Sequence, residues 1–443
     1  MSDVAIDQTP SAGTNTPSSS VFYRAIWKWH FFAALFVLPF MALLSVTGGI
    51  YLFDHQIEEI IYEERLNVTA RGEALPLDQQ MAAAMAVVPD AKRLRSIALS
   101  GSETRSTLVD VQDAQRGRHY VWVDPYSGEA LASAERDSTL MRMVRKLHGE
   151  LLLGDVGTKF VELAAHWTIV LMITGAYLWW PRGKRSLAKA VRPDFVGKQG
   201  RTYWKNMHRW TGMIALILVT PILITGLPWT DIWGGGLDRV QKMTGQSSPS
   251  RAFGGPPINS SASEGETLSP EQAILIATQQ GVEYPIELRM PRGDDGVYFI
   301  RSRQDRPQDR FELHIDQYSG DVVNRTTWDD YPIVAALVSG GIAFHEGRLY
   351  GNLNLIQNLV AAIAGFVLAV SGFLAWWVRR PKGELGVPMV PETVQASWGL
   401  VALIVGLGVL FPLMGASLLI VLLIDWLVLS RMGWFQGASP STA

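Results

Sequence analysis

Apolar and mixed stretches alternate along the chain in long blocks. From Ala25 to Phe53 nearly every residue is apolar, and at about 1.5 Å per residue a helix of that length crosses a bilayer core of about 30 Å. Similar runs follow at about 158–180, from Met207 to Leu227 and at about 355–378, and they predict four core spans at 24–54, 156–181, 206–229 and 352–378. A last apolar stretch, Pro391 to Ser430, is too long for one helix and is broken at Phe411-Pro412-Leu413-Met414-Gly415. It predicts two further helices, 391–411 and 412–431, joined by a tight external turn, with a single crossing and a re-entrant piece as the alternative.

The mixed blocks at 55–155 and 230–345 read as soluble α+β domains. In the first, a helix-like run from Asp78 to Val88 precedes strand candidates at Arg95 to Ser100, Thr104 to Val111 and Tyr120 to Val123. The second opens on a Gly/Ser/Pro-rich linker, Gly234 to Gly265, and starts a helix at Ser269-Pro270-Glu271-Gln272, where serine caps and glutamine bonds back. Its strand candidates are Val297 to Arg301 and Phe311 to Asp316.

The chain repeats itself. An offset of 197 carries His148 onto His345, Gly154 onto Gly351, Thr174-Gly175 onto Ser371-Gly372 and Trp179-Trp180 onto Trp376-Trp377. An offset of 178 carries His30 onto His208 and Thr47-Gly48 onto Thr225-Gly226. The phrase Tyr126-Ser127-Gly128 recurs as Tyr318-Ser319-Gly320, so the external domains are duplicated with the spans.

Composition narrows the chemistry. The chain of 443 residues is 48% hydrophobic and has no cysteine, which excludes disulfides, iron-sulfur clusters and thiolate-ligated haem. A net charge of -2 argues against a nucleic-acid partner. Charge is placed unevenly: Arg24 and Lys28 precede the first span and acids follow it, while the loop at 182–205 is strongly basic. Both termini, the tail at 1–23 and the tail at 432–443, are then expected in the cytoplasm, with the α+β domains outside. The first tail, rich in Ser, Thr and Pro, reads as disordered. Asp425 in the last helix should face protein rather than lipid.

Depth then sorts the histidines. His30 and His208 fall near the cytoplasmic ends of spans one and three, and His148 and His345 at or just before the external ends of spans two and four. Gly48 and Gly226 fall near the outer face, Gly175 and Gly372 near the inner one. A porphyrin needs axial ligands on both of its faces and a flat slot among helices, which glycine allows. Two histidines and two glycines at each face are the arrangement expected of two bis-histidine b haems, with Gly48, Gly226, Gly175 and Gly372 as the slot. His166 is either a spare ligand or a buried, hydrogen-bonded histidine; His55 reaches the outer face without a counterpart; His119 and His314 read as surface residues. Arg209, Arg182 and Arg379 inside, and Arg145 and Arg348 outside, either pair with haem propionates or set topology.

The opening His30-Phe31-Phe32-Ala33-Ala34-Leu35-Phe36, the phrases LHGELLLG and FHEGRLYG, the Thr-Gly and Trp-Trp span ends and the paired external domains together resemble the PepSY-associated transmembrane helix family. The likeness covers nearly all of the chain after about residue 21. It implies a bacterial inner-membrane protein with two periplasmic PepSY-like domains. Members that are dihaem ferric-siderophore reductases imply further that electrons cross the membrane to reduce a ferric siderophore or other ferric chelate, releasing weakly held Fe(II). In that case His30, His208, His148 and His345 stand at the ligand positions, and His166 is outside the pattern. With no GxGxxG after a strand and no P-loop, the electron donor is expected to be a quinol or a separate cytoplasmic reductase. The alternative is a non-redox module whose PepSY domains bind or regulate an extracytoplasmic protease or peptide, which leaves the histidines without a role. A repeat-built permease would need broken midplane helices that these spans lack.

Overall fold

The computed structural model describes residues 18–182, 186–250, 258–260, 265–384, 386, 398–424 and 426–427. A long helix, α1 (Ser18–Tyr51), leads to α2 (Asp54–Ile61) and α3 (Glu63–Leu66). Then come α4 (Leu77–Ala86) and four strands: β1 (Ala91–Leu99), β2 (Thr107–Asp113), β3 (Arg118–Val123) and β4 (Ala130–Glu135). Helix α5 (Leu140–Glu150) precedes α6 (Asp155–Trp179), and α7 (Leu187–Ala190) precedes α8 (Gly200–Gly226) and α9 (Ile232–Met243). The order of helix and four strands then recurs as α10 (Pro270–Gln279), β5 (Ile286–Arg289), β6 (Val297–Ser302), β7 (Glu312–Asp316) and β8 (Val322–Thr326). Helices α11 (Ile333–His345), α12 (Asn352–Trp377), α13 (Trp398–Leu410) and α14 (Pro412–Ile424) follow.

Among the described residues four helical stretches are long and apolar enough to cross a membrane: Phe22–Tyr51, Asp155–Trp179, Gly200–Trp229 and Asn352–Trp377. They coincide with the four expected core spans, and the chain is a membrane protein. The break expected at Phe411-Pro412 separates α13 from α14, each of 13 residues. Proline suits the first turn of a helix because the amide hydrogen it lacks has no partner there. The two helices close tightly at glycines, since a Cβ on Gly415 would stand 2.7 Å from the Gly408 carbonyl oxygen. Asp425 and the outer parts of the expected 391–411 and 412–431 helices lie outside the described residues, as do Lys184 and Arg185 of the basic loop.

The chain divides into two compact units. The first, drawn from 1–40, 166–216 and 367–443, consists of helices and their connecting turns, with no strand among its described residues. The second, 41–165 and 217–366, contains one antiparallel sheet of eight strands in the order β4-β3-β2-β1-β5-β6-β7-β8. Each half of the sheet is a meander of four strands, and the halves are joined by β1 and β5, with Ile97 opposite Leu288. The core ignores the join: Leu77 and Ile97 from one half pack with Ile274, Ile286, Leu288, Ile300, Leu313 and Ile315 from the other. Burying each such side chain is worth about 1.5–3 kcal/mol, so neither half keeps its full core alone.

Local signals explain much of this. Ser269 and Gln272 form the expected reciprocal capping box at α10. The two Tyr-Ser-Gly turns are built alike: Asp124 Oδ1 accepts from the Tyr126 amide and Asp316 Oδ1 from the Tyr318 amide, each at 2.8 Å. The glycines that follow have φ of 73° and 76°, a region that residues with a Cβ rarely enter.

The structure corrects several expectations. Strands β4, β5 and β8 went unanticipated because they are short or carry little apolar alternation. Helix α1 already includes Ser18 to Tyr23, part of the tail expected to be disordered. The presumed linker begins instead as helix α9, whose first amides, Ile232 and Trp233, are both accepted by the Glu162 carboxylate, at 3.0 and 2.9 Å. A carboxylate at a helix N-terminus satisfies amides that would otherwise have no partner and offsets the weak helix preference of Gly234 to Gly236.

Candidate functional site

The second unit brings His148, near the end of α5, to His345, the last residue of α11. Their ring centroids are 6.4 Å apart and their planes meet at 70°. The spacing leaves room for one metal atom between two ring nitrogens at about 2 Å each. His148 Nδ1 is 2.9 Å from Thr47 Oγ1, and that hydroxyl donates its own proton to the Leu43 carbonyl at 2.9 Å. The hydroxyl oxygen therefore accepts, and Nδ1 carries the hydrogen. His345 Nδ1 lies 2.8 Å from the carbonyl oxygen of Ile222, which can only accept, so it too carries its hydrogen there. Both imidazoles are left with a bare lone pair on Nε2.

The first unit repeats the arrangement with His30 on α1 and His208 on α8, which are close enough to interact electrostatically. His30 Nδ1 is 2.9 Å from Thr174 Oγ1, whose proton goes to the Val170 carbonyl at 2.9 Å. His208 Nδ1 donates to the Leu368 carbonyl at 3.1 Å. The carbonyl partners of His208 and His345 fix the Nδ1–H tautomer, and with the threonine protons placed on Leu43 and Val170 His148 and His30 take the same one. Each pair combines one imidazole held by a threonine hydroxyl with one held by a main-chain carbonyl, the kind of outer contact that sets the orientation and basicity of a ligating histidine.

The four glycines sit against these rings. A Cβ on Gly48 would meet His148 Cε1 at 3.0 Å, on Gly226 would meet His345 Cε1 at 2.9 Å, and on Gly372 would meet His208 Cε1 at 3.0 Å; Gly175 is looser, 3.3 Å from His30 Cε1. Each Thr/Ser-Gly pair is thus one device: the glycine lets a ring approach, and the residue before it, or the carbonyl three residues earlier, takes the Nδ1 proton.

Sequence reading missed the residues that hold His345. Asn358, 3% exposed, donates to the carbonyls of Phe344 at 2.6 Å and His345 at 3.1 Å. Asn354, fully buried, donates to Phe344 and accepts from the Leu349 amide. Together they satisfy the open carbonyls at the end of α11, whose chain then turns at Gly347 with φ of 77°. Two asparagines four apart in an apolar span were the available signal. Trp229 adds a ring 5.3 Å from that of His345.

The remaining candidates are dispersed. His166 is fully buried, with its ring 4.8 Å from that of Phe411, and the adjacent Trp167 donates to Ser417 at 3.0 Å. His55 is 68% exposed beside Asp54. His119 pairs with Asp113 at 2.8 Å. His314 is not the surface residue expected: it is 6% exposed and packs on Phe299, because the sheet face that carries it is covered. Arg182 lies over Tyr23 and Tyr177 and bonds the Tyr177 carbonyl, while Arg379 lies over Trp27 and bonds the Gly386 carbonyl. Arg209 follows His208 on α8 and is half-buried. Arg348 pairs with Asp54 at 2.8 Å. Beside it, burial, with a contribution from Asp54, raises the Glu346 carboxyl above its usual range against the opposing pull of Arg348, Arg310 and Arg145.

No three histidine or carboxylate groups converge on a point among the described residues. What the chain offers is two pairs of imidazoles, and that donor set fits an iron porphyrin, whose ring supplies the other four nitrogens. His148 with His345, and His30 with His208, are the residues that would hold such a group. No curated protein matches this sequence. The model of the PepSY-associated TM region matches residues 27–379, a stretch that contains all four histidines, and the chain belongs to that family.

Proposed function

We propose that this protein is a b-type dihaem electron-transfer protein of a bacterial inner membrane, and that it reduces a ferric siderophore or other ferric chelate at the periplasmic face to release Fe(II). The observation that carries this reading is the common arrangement of His30, His148, His208 and His345, each hydrogen-bonded through Nδ1 to a hydroxyl or carbonyl oxygen and open at Nε2. A structural histidine has no need of a free Nε2 lone pair. Four that share it, in two pairs, match what axial ligation requires.

In this reading the sheet-bearing unit, with its duplicated PepSY domains, faces the periplasm and both termini lie in the cytoplasm, as the basic loop at 182–205 suggests. Bound haem supplies single-electron chemistry. The chain's own residues orient the imidazoles through Thr47, Thr174, Ile222 and Leu368 and surround them with apolar spans that exclude water. Arg145 and Arg348 both act on Glu346, the residue after His345, and although Arg348 is paired with Asp54 they are the cations that would neutralise propionates. A quinol or a cytoplasmic reductase is the proposed electron source.

The test is the absorption spectrum of the purified protein. Dithionite should produce the sharp bands of low-spin b haem, and His208→Ala and His345→Ala should each lose about one haem of two. A colourless, folded preparation ends the proposal.

A further inference from the structure

Where the start of β1 meets the end of β2, a cleft of about 390 Å³ is lined by Lys92, Arg93, Gln112, Asp113, Ala114 and Arg116. Its volume falls in the range of small-molecule sites. Arg95 belongs to the same cluster, since Arg93 Nε and Arg95 Nη1 both donate to Gln112 Oε1, at 2.7 and 3.2 Å. The cleft's carboxylate is already engaged: Asp113 accepts from His119 at 2.8 Å and from the Gly117 amide at 2.7 Å. Asp110 is taken up by Arg118. Among the described residues no carboxylate pairs with Lys92, Arg93, Arg95, Arg116 or the nearby Arg292. Burial and the repulsion of neighbouring arginines push both Arg95 and Arg292 below the usual guanidinium range. Like charges are thus gathered here, with Asp110 offsetting the repulsion at Arg95 only in part.

The backbone is shaped to do this. Strand β1 shifts register twice against β2, between Ala91 and Arg93 and between Leu94 and Ser96. Irregularities of this kind re-aim side chains and recur beside binding sites. The other half of the sheet shows that the fold does not require them: β5 pairs with β6 without a shift, and ahead of it stand Tyr284 and Pro285.

We propose that this cleft captures a small multivalent anion and, resting on the electron-transfer reading above, that the anion is a ferric chelate bearing carboxylates. Charge-assisted bonds from guanidinium forks to carboxylates would hold it. The cleft is a capture site, so its residues govern affinity.

Gallium(III) citrate, which is redox-inert, separates binding from reduction. Calorimetry on the full-length protein in discs of neutral phospholipid should show binding. The triple variant Arg93→Ala/Arg95→Ala/Arg116→Ala should weaken it on the order of ten-fold or more. The corresponding Arg→Lys variant should recover part of the loss, and an uncharged gallium tris-hydroxamate should bind both proteins alike. Equal affinity of wild type and triple variant for gallium citrate, or an equal loss for the uncharged chelate, overturns the proposal. So does retention by these residues of vesicles containing anionic phospholipid when gallium citrate does not bind. The haem reading stands or falls separately, on the absorption spectrum of the same sample.

Discussion

Asn358 donates its side-chain amide to the carbonyl of His345 at 3.1 Å, so a residue of the fourth span fixes the end of the helix that carries a proposed ligand. Asn358→Leu keeps the volume roughly constant but strips the His345 carbonyl of its side-chain partner and leaves that of Phe344 to Asn354 and the Gly347 amide. Leaving such buried groups unsatisfied costs about 1–3 kcal/mol. The variant should fold with lowered stability and hold its second-unit haem weakly, at near one haem per chain. A haem-to-protein ratio equal to wild type would show that the asparagine has no part in placing His345.

The two threonines that accept from imidazoles belong to different pairs. Thr47→Val should shift the midpoint potential of the haem proposed for His148 and His345, and Thr174→Val that of the one proposed for His30 and His208, because a weaker Nδ1 bond makes the ligand less electron-rich. Potentiometric titration followed in the visible bands resolves the two. If both variants moved the same component, the pairing of histidines would be wrong.

Glycine substitutions give a graded test. Gly226→Ala and Gly372→Ala place a methyl group 2.9 and 3.0 Å from a ring carbon and should each displace one imidazole, whereas Gly175→Ala at 3.3 Å should be milder. Gly149→Ala, which meets nothing within 4 Å, is the control. Haem content should fall in that order, and uniform tolerance would mean that the rings do not need this close approach.

The sheet should be acid-sensitive through Glu287. Burial alone would raise its carboxyl, but Arg301 and Arg289 outweigh burial and hold it below its ordinary value of 4.5. A depressed carboxylate stabilises the fold above the unfolded value, and that contribution is lost as pH falls through the folded one. Thermal melts between pH 6 and roughly pH 3 should therefore show a decline that Glu287→Gln flattens. Parallel curves for the two proteins would remove Glu287 as a contributor.

The histidines and their glycines were readable because the duplication states each of them twice, and the apolar runs fix their depth. Depth does not say which helix lies opposite. The contact of Gly48 with the His148 ring, or of Gly226 with His345, therefore emerges only from packing. The same limit hid Asn354 and Asn358, whose polar side chains look out of place until the end of α11 is brought beside them. Glu162 is a similar case: a carboxylate in a span carries no label saying that it caps α9. The capping box of α10 was legible in full because both of its partners lie within four residues.

Strand β4 and strand β8 form the two edges of the sheet, and each chain that leaves them, through α5 and α11, ends at one member of the His148 and His345 pair. The pair therefore acts as a clasp between opposite ends of the same sheet. Its second half is synthesised 197 residues after its first, so the clasp can shut only once the entire sheet has been made, and a prosthetic group gripped there would report that the sheet had been completed.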